Sequence, residues 1–223
     1  MQPQSDPFIV PACLEDIQVE YEDPDFIVIN KPSKLLSLSG KHPLNKDSVH
    51  HRIVQQFPTA TLIHRLDFGT SGLMLLALNK DTNKQLCDQF AARSVKKEYQ
   101  AILDGQLAKT QGEINFPLIK DADGFPLQKI CYETGKPATS RYEVLSYNSN
   151  NNTSHVKFEP ITGRTHQLRL HSMAIGHPII GCDLYDLEDS YFKAERLMLH
   201  ATYLSFSHPK SNEPLHFYSA SPF

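Results

Sequence analysis

Apolar and polar positions along the chain follow two periods, and the switches between them outline the elements. Residues 17–21 alternate, residues 26–30 form a short apolar run, and the acidic, Pro-containing stretch 22–25 lies between, which predicts a β-hairpin with a four-residue turn. After Asp47, Val49, Ile53, Val54 and Phe57 recur at helical spacing. A helix capped by Asp47 and stopped at Pro58 is therefore expected, with His50, His51 and Arg52 mostly off its apolar face. Leu62 and Ile63 read as the end of a strand and residues 73–78 as a fully buried one. Leu86 and Phe90, one turn apart, place an amphipathic helix over 79–92, begun at Asn79 or Asp81. Residues 96–101 alternate again. Short strands are expected at 113–118, 128–132, 137–147 and 154–160, joined by turn sequences at 121–124, 134–136 and 148–152. Much of the sheet should thus be antiparallel, with 128–138 an exposed ribbon carrying Lys129 and Lys136. Thr162 or Thr165 is expected to start a helix in which Arg169 shares a face with Thr165 and His166, and residues 215–218 make a last strand.

The most apolar neighbourhood encloses one ionisable acid, Asp67. The loop Asp67-Phe68-Gly69-Thr70-Ser71-Gly72 holds two glycines that allow positive φ or close approach of a substrate, and Thr70 and Ser71 stand where local hydrogen bonds would tie the loop down. A carboxylate against an apolar wall needs a nearby cation to stay ionised, and Arg65 is the nearest in sequence. On spacing alone two readings stand: a held, reactive carboxylate, and a turn whose Asp only caps backbone groups. Tyr99, on the alternating stretch 96–101, is by pattern a packing residue. In residues 161–171, His166 and His171 lack the spacing of a metal site and no HExxH motif occurs, which disfavours a zinc hydrolase.

Composition refines this modestly. The chain has 223 residues, 40% of them apolar, enough for one sizeable body spanning 17–223 behind a loosely held arm at 1–16. A net charge of −3 does not favour nucleic-acid binding, where Lys and Arg neutralise phosphates. The distribution is uneven, however: 5 basic and 8 acidic side chains in 1–60, 14 and 11 in 61–181, 3 and 6 in 182–223. The positive balance falls on the central stretch that holds Asp67, Tyr99 and Arg169. Cys13, Cys87, Cys131 and Cys182 form no CxxC pair and are expected to be reduced, mostly buried thiols of a cytoplasmic protein. No secretory segment stands at the start, and no run approaches the roughly 18 apolar residues that span a membrane.

Several segments resemble the RluA-type pseudouridine synthases, which isomerise uridine to pseudouridine in folded RNA. HRLDFGTSGLMLL, beginning at His64, matches the family's HRLDxxTSGLLL pattern. Asn30-Lys31-Pro32 resembles NKPxGL, with Lys34 where glycine is usual. Residues 96–101 resemble KxYxA, 162–171 match TGRxHQLRxH, and 176–185 resemble GHPIxGDxxY with a one-residue departure at Cys182 and Asp183. The resemblance implies an α+β pseudouridine synthase fold: a central mixed, largely antiparallel sheet flanked by helices, with an RNA cleft crossing the Asp67 loop. No S4 domain is expected, since the sequence starts almost directly at the hairpin.

In site terms the resemblance makes Asp67 the nucleophile, Arg169 the cation that pairs with it, and Tyr99 the phenol that stacks on uracil and helps remove the C5 proton. Attack on base, attack on sugar and assistance of glycal formation stay open for Asp67. Arg65 is implied to fill the place of an extruded uridine, and His64, Thr70, Arg164, His166 and Lys31 to contact RNA. The bare sequence equally reads Lys31 as a solvated residue ending a strand. No metal and no cofactor is required. Length and residues 131–138 are similar to the dual-specificity branch that modifies both 23S rRNA and a tRNA anticodon stem-loop, so those RNAs are the expected partners of a monomer with no membrane and no protein partner. Two other readings compete. A non-catalytic RNA-binding protein is disfavoured by intact Asp67, Tyr99 and Arg169. An Asp-dependent hydrolase of a nucleoside or glycoside ranks last, because retaining glycosidases usually need a second carboxylate about 5 Å away, which the matched motifs lack.

Overall fold

A computed structural model describes residues 9–187 and 189–223; residues 1–8 of the expected arm lie outside the described residues. The chain divides into two compact units, one from residues up to Val95 with Leu204–Ser219, the other from Lys96–Tyr203 with Ala220–Phe223.

In the first unit, β1 (Gln18–Glu22) and β2 (Phe26–Lys31) form the expected antiparallel hairpin. Helix α1 (Val49–Ile53) follows, capped by Ser48 instead of Asp47: the Ser48 hydroxyl accepts from the His51 N–H at 3.1 Å. Asp47 instead accepts from both Nε and Nη2 of Arg52, at 2.7 and 2.6 Å, which holds its carboxyl below the usual range. Arg52 also donates to the backbone oxygens of Cys13 and Glu15, fastening the described part of the arm. Strands β3 (Thr61–Leu62) and β4 (Ser71–Ala77) come next, with β4 antiparallel to both β2 and β3. Every residue of β4 is buried. Alternation sends Leu73, Leu75 and Ala77 into a core with Phe26 and Val28, while Met74 and Leu76 pair with Ile29 and Ile27 on the opposite face. Two covered faces explain the unbroken apolar run. Asn79 caps α2 (Lys80–Ala91), whose Leu86 closes the first of these cores.

The second unit carries β5 (Lys96–Asp104), β6 (Gln111–Asn115), β7 (Leu118–Lys120), β8 (Gln128–Ile130), β9 (Thr139–Asn148) and β10 (Thr153–Pro160). Strands β5, β10, β9 and β6 lie side by side in that order with antiparallel neighbours, and β7–β8 make a separate ribbon. The strand expected at 113–118 breaks in two around Pro117, which has no N–H to give a ladder. Helix α3 (Gln167–Ala174) packs Leu168 and Leu170 into the core of this unit. It starts later than either threonine predicts. The Thr162 hydroxyl donates to Gln167 Oε1 and accepts the Thr139 N–H, Thr165 lies in an exposed turn, and His166 has a left-handed φ of 55°. Thr165 and His166 therefore do not share a helical face with Arg169.

Strand β11 (Leu199–Ser207) was not anticipated; its first part belongs to the second unit and its last residues to the first, where β12 (Pro214–Tyr218) pairs with it. The expectation of mostly buried thiols holds for Cys182 alone: Cys87 is exposed, and Cys13 and Cys131 are half-buried, all four being free. No helix among the described residues is long and apolar enough to cross a membrane.

Candidate active site

The carboxylate of Asp67 is carried by a loop whose fixing points lie outside it. At the end of β2 and just beyond it, three side chains fasten backbone groups of this loop and of Leu66 before it. The Lys31 ammonium donates to Phe68 O at 3.3 Å, and the Ser33 hydroxyl to Gly69 O at 2.7 Å. Ser37 does both jobs at once, donating to Leu66 O at 2.6 Å and accepting the Leu66 N–H at 3.1 Å. Lys31 is 0% exposed and also donates to the Pro32 and Leu35 carbonyls, at 2.9 and 2.7 Å, so the ammonium is solvated by protein oxygen in place of water. Within the loop, the Thr70 N–H donates to Asp67 O at 3.1 Å. Of the two loop glycines only Gly72 takes a positive φ, 110°, opposite Lys31 in the β2–β4 register.

His64, just before the acid, accepts the Leu75 N–H at Nε2 (3.1 Å) and stacks on Phe90 with centroids 4.9 Å apart. Its proton therefore sits on Nδ1 in the neutral form. Arg65 is exposed at an open groove of about 410 Å³ floored by Leu38, Leu62 and Ile63, with His50 on its wall. An aliphatic floor beside a guanidinium suits the face of a nucleobase.

The second unit carries Tyr99, Arg164, His166 and Arg169. Tyr99 stands on β5 opposite Phe158, half-buried, on the same face as Ala101 and Leu103 of the core. Lys97, two residues nearer the strand end, shares that face; burial lowers its pKa, and its ammonium lies 3.9 Å from where a Cβ on Gly163 would sit. Arg164 is half-buried and donates from Nε to Pro137 O at 3.1 Å. His166 pairs through Nδ1 with the Tyr185 hydroxyl at 2.9 Å.

Arg169 is 3% exposed. Its Nη2 donates to the Asp183 carboxylate, its Nε to Cys182 Sγ at 3.3 Å, and its guanidinium carbon lies 5.5 Å from the centroid of the Tyr185 ring.

Other residues of the stretch 162–171 build support. Gln167 donates to Thr139 O and the Ser140 hydroxyl, each at 2.9 Å. Ser140 in turn contacts His171 Nδ1 at 3.0 Å, while His171 Nε2 faces Phe116 O at 3.2 Å. A carbonyl only accepts, so Nε2 bears the proton; burial pushes the imidazole pKa down and keeps it neutral.

Two of the expected RNA contacts meet a physical objection. Lys31 and Thr70 (2% exposed) are out of solvent, and the ammonium of Lys31 is spent on backbone carbonyls. Arg65 is exposed, and His64, Arg164 and His166 are half-buried, so these four stay within reach of a ligand. Sequence reasoning missed Ser33, Ser37 and Asp183. The serines gave no signal because isolated Ser in a polar loop is unremarkable. Asp183 did give one, as the place where a matched motif departs by a residue.

The family profile described as RNA pseudouridylate synthase matches residues 25–174. The chain is 48% identical to the dual-specificity RNA pseudouridine synthase RluA of Yersinia pestis over 199 residues, 89% of this chain and 96% of that one. It is 48% identical to the protein of the same name from Pasteurella multocida (strain Pm70) over 220 residues, 99% of this chain and 96% of that one. Among solved structures it superposes on human RNA pseudouridylate synthase domain containing 1 with a TM-score of 0.80 at 30% identity, covering 96% of this chain and 86% of the human one.

Proposed function

The chain belongs to the RNA pseudouridylate synthase family and forms pseudouridine in RNA, and on that premise we propose that it has dual specificity, acting on 23S rRNA and on a tRNA anticodon stem-loop with Asp67 as its nucleophile. The observation that carries the assignment of Asp67 is the fastening of its loop: Lys31, Ser33 and Ser37 fix the backbone on both sides of the carboxylate, as a group that must meet one carbon atom requires. Dual specificity is supported by relatives of that name aligned over 96% of their own length.

The reaction breaks the C1′–N1 bond of uridine, turns the uracil and joins C1′ to C5. Atoms and oxidation level are conserved, so the chemistry asks for a carboxylate, a cation to hold it ionised, and a group that takes the C5 proton. Asp67, Arg169 and Tyr99 fill these roles. A uridine within a stack is out of reach of any such carboxylate, and extruding it costs about a few kcal/mol, least in a loop or at a mismatch. Arg65, exposed beside its groove, takes the vacated place in the stack, and His64, Arg164 and His166 line the path of the RNA.

Pseudouridine formation by wild type and by Asp67→Asn on transcripts of an anticodon stem-loop and a 23S fragment tests the proposal. Product from wild type on both RNAs and none from the variant is expected. Product on one RNA class alone removes dual specificity, and wild-type rates from Asp67→Asn remove the nucleophile.

A further inference from the structure

The segment that follows Gly181 has no part in the chemistry above, yet three of its residues touch Arg169. Its backbone path depends on Gly181: φ is 72°, and a Cβ there would lie 1.9 Å from Arg196 O, so no other residue fits. From this turn, three residues converge on one guanidinium. Cys182 accepts from Nε, Asp183 accepts from Nη2, and the guanidinium carbon lies over the Tyr185 ring.

Two hydrogen bonds from different nitrogens and one ring contact restrict where a planar group sits and how it points. Burying a guanidinium calls for a counter-charge and hydrogen bonds, and because its donors are fixed in a fork the directions of those bonds also set how the group points. Tyr185 is itself held on several sides. It is 5% exposed, its hydroxyl oxygen accepts the Gln128 N–H at 2.7 Å, and it bonds His166 Nδ1 at 2.9 Å with the two rings edge to face, centroids 5.6 Å apart. The side chain of Asp183, by contrast, is 49% exposed. The pair is open to water on the carboxylate side alone, and the charge-assisted bond from Nη2 sets the direction of the buried guanidinium.

We infer that Asp183 and Tyr185 are positioning residues for the reaction: together they aim the Arg169 guanidinium. The inference rests on the reading of Arg169 as the cation of the site. An arginine without this brace would still carry its charge but would reach the reacting geometry in only part of the population, which slows the chemical step and leaves RNA binding alone.

A double-mutant cycle separates the possibilities. Single-turnover rates, RNA Kd and melting temperature are measured for wild type, Asp183→Ala, Arg169→Ala and the double variant on one stem-loop substrate, with Asp183→Asn replacing Asp183→Ala if the latter does not fold. The expected result is at least a fivefold loss of rate from the Asp183 change, a Kd within twofold of wild type, and no further loss when the change is made in the Arg169→Ala background. Equal losses in both backgrounds, an unchanged rate, or a change in Kd alone would each overturn the inference. A wild-type rate from Arg169→Ala would instead overturn the reading on which it rests. Tyr185→Phe, which keeps the ring and loses the hydroxyl, is expected to slow the reaction less than Asp183→Ala.

Discussion

Replacing Lys31 by methionine removes the ammonium at nearly constant volume and strands three carbonyl oxygens, those of Pro32, Leu35 and Phe68. Each acceptor left unmet in the interior costs about 1–3 kcal/mol, and the cost is offset in part because a charge no longer has to be buried. A net loss of about 3 kcal/mol follows, or roughly 6–12 °C in Tm for a chain of this size. The loss has a local signature. Phe68 O is the only one of the three that belongs to the Asp67 loop, so the loop is loosened on one side while β2 and β4 remain paired. Thermal unfolding, single-turnover rate and RNA Kd on the same Lys31→Met preparation distinguish this from an RNA contact. The structure calls for a lower Tm, a slower reaction and an unchanged Kd. A Tm within about 2 °C of wild type together with a weakened Kd would refute the reasoning and return Lys31 to the RNA interface.

Acid should destabilise the protein through His200, which burial and the nearby Arg196 push down to about 4 from an ordinary 6.5. The unfolded chain takes up a proton near 6.5 and the folded one only near 4, so the stabilisation is full above pH 6.5 and about 3 kcal/mol is lost as pH falls through that window. The pKa of His171 is lowered too and adds to the loss in the same direction. Urea unfolding between pH 7 and 4 should show this slope flattened in His200→Gln, and identical slopes in the two proteins would count against it. Lys34 holds a left-handed φ of 59° without being glycine. Lys34→Gly relieves about 1 kcal/mol of backbone strain against a smaller entropic cost, so Tm should rise by about 1–3 °C with unchanged activity; a fall in Tm would contradict it.

Where one residue type in one pattern has a single structural meaning, the sequence was legible. The hairpin of β1 and β2, the doubly buried β4 and the Asn79 cap of α2 follow from alternation, an unbroken apolar run and a capping side chain. The line of β11 was not legible, because His200, Thr202 and Ser205 interrupt it although all three are buried. The start of α3 was misplaced for a related reason: the hydroxyl of Thr162 serves Gln167 and Thr139, and a side chain gives no sign in sequence of which backbone it will meet. At the candidate site, Asp67, Tyr99 and Arg169 were singled out through the resemblance. The braces, Ser33, Ser37 and Asp183, act across long sequence separations that no periodicity encodes.

The fastening of the Asp67 loop separates where the acid is held from how the intervening chain is built. Its three anchors lie 29–37 residues upstream of the groups they hold, and between them and the acid runs a largely exposed connection at 41–44. Doubling a loop of this kind adds only about 0.6 kcal/mol of closure entropy. Extra residues in that connection would leave the carboxylate where it is, so the protein has a place to accept a grafted RNA-reading segment without retuning its chemistry.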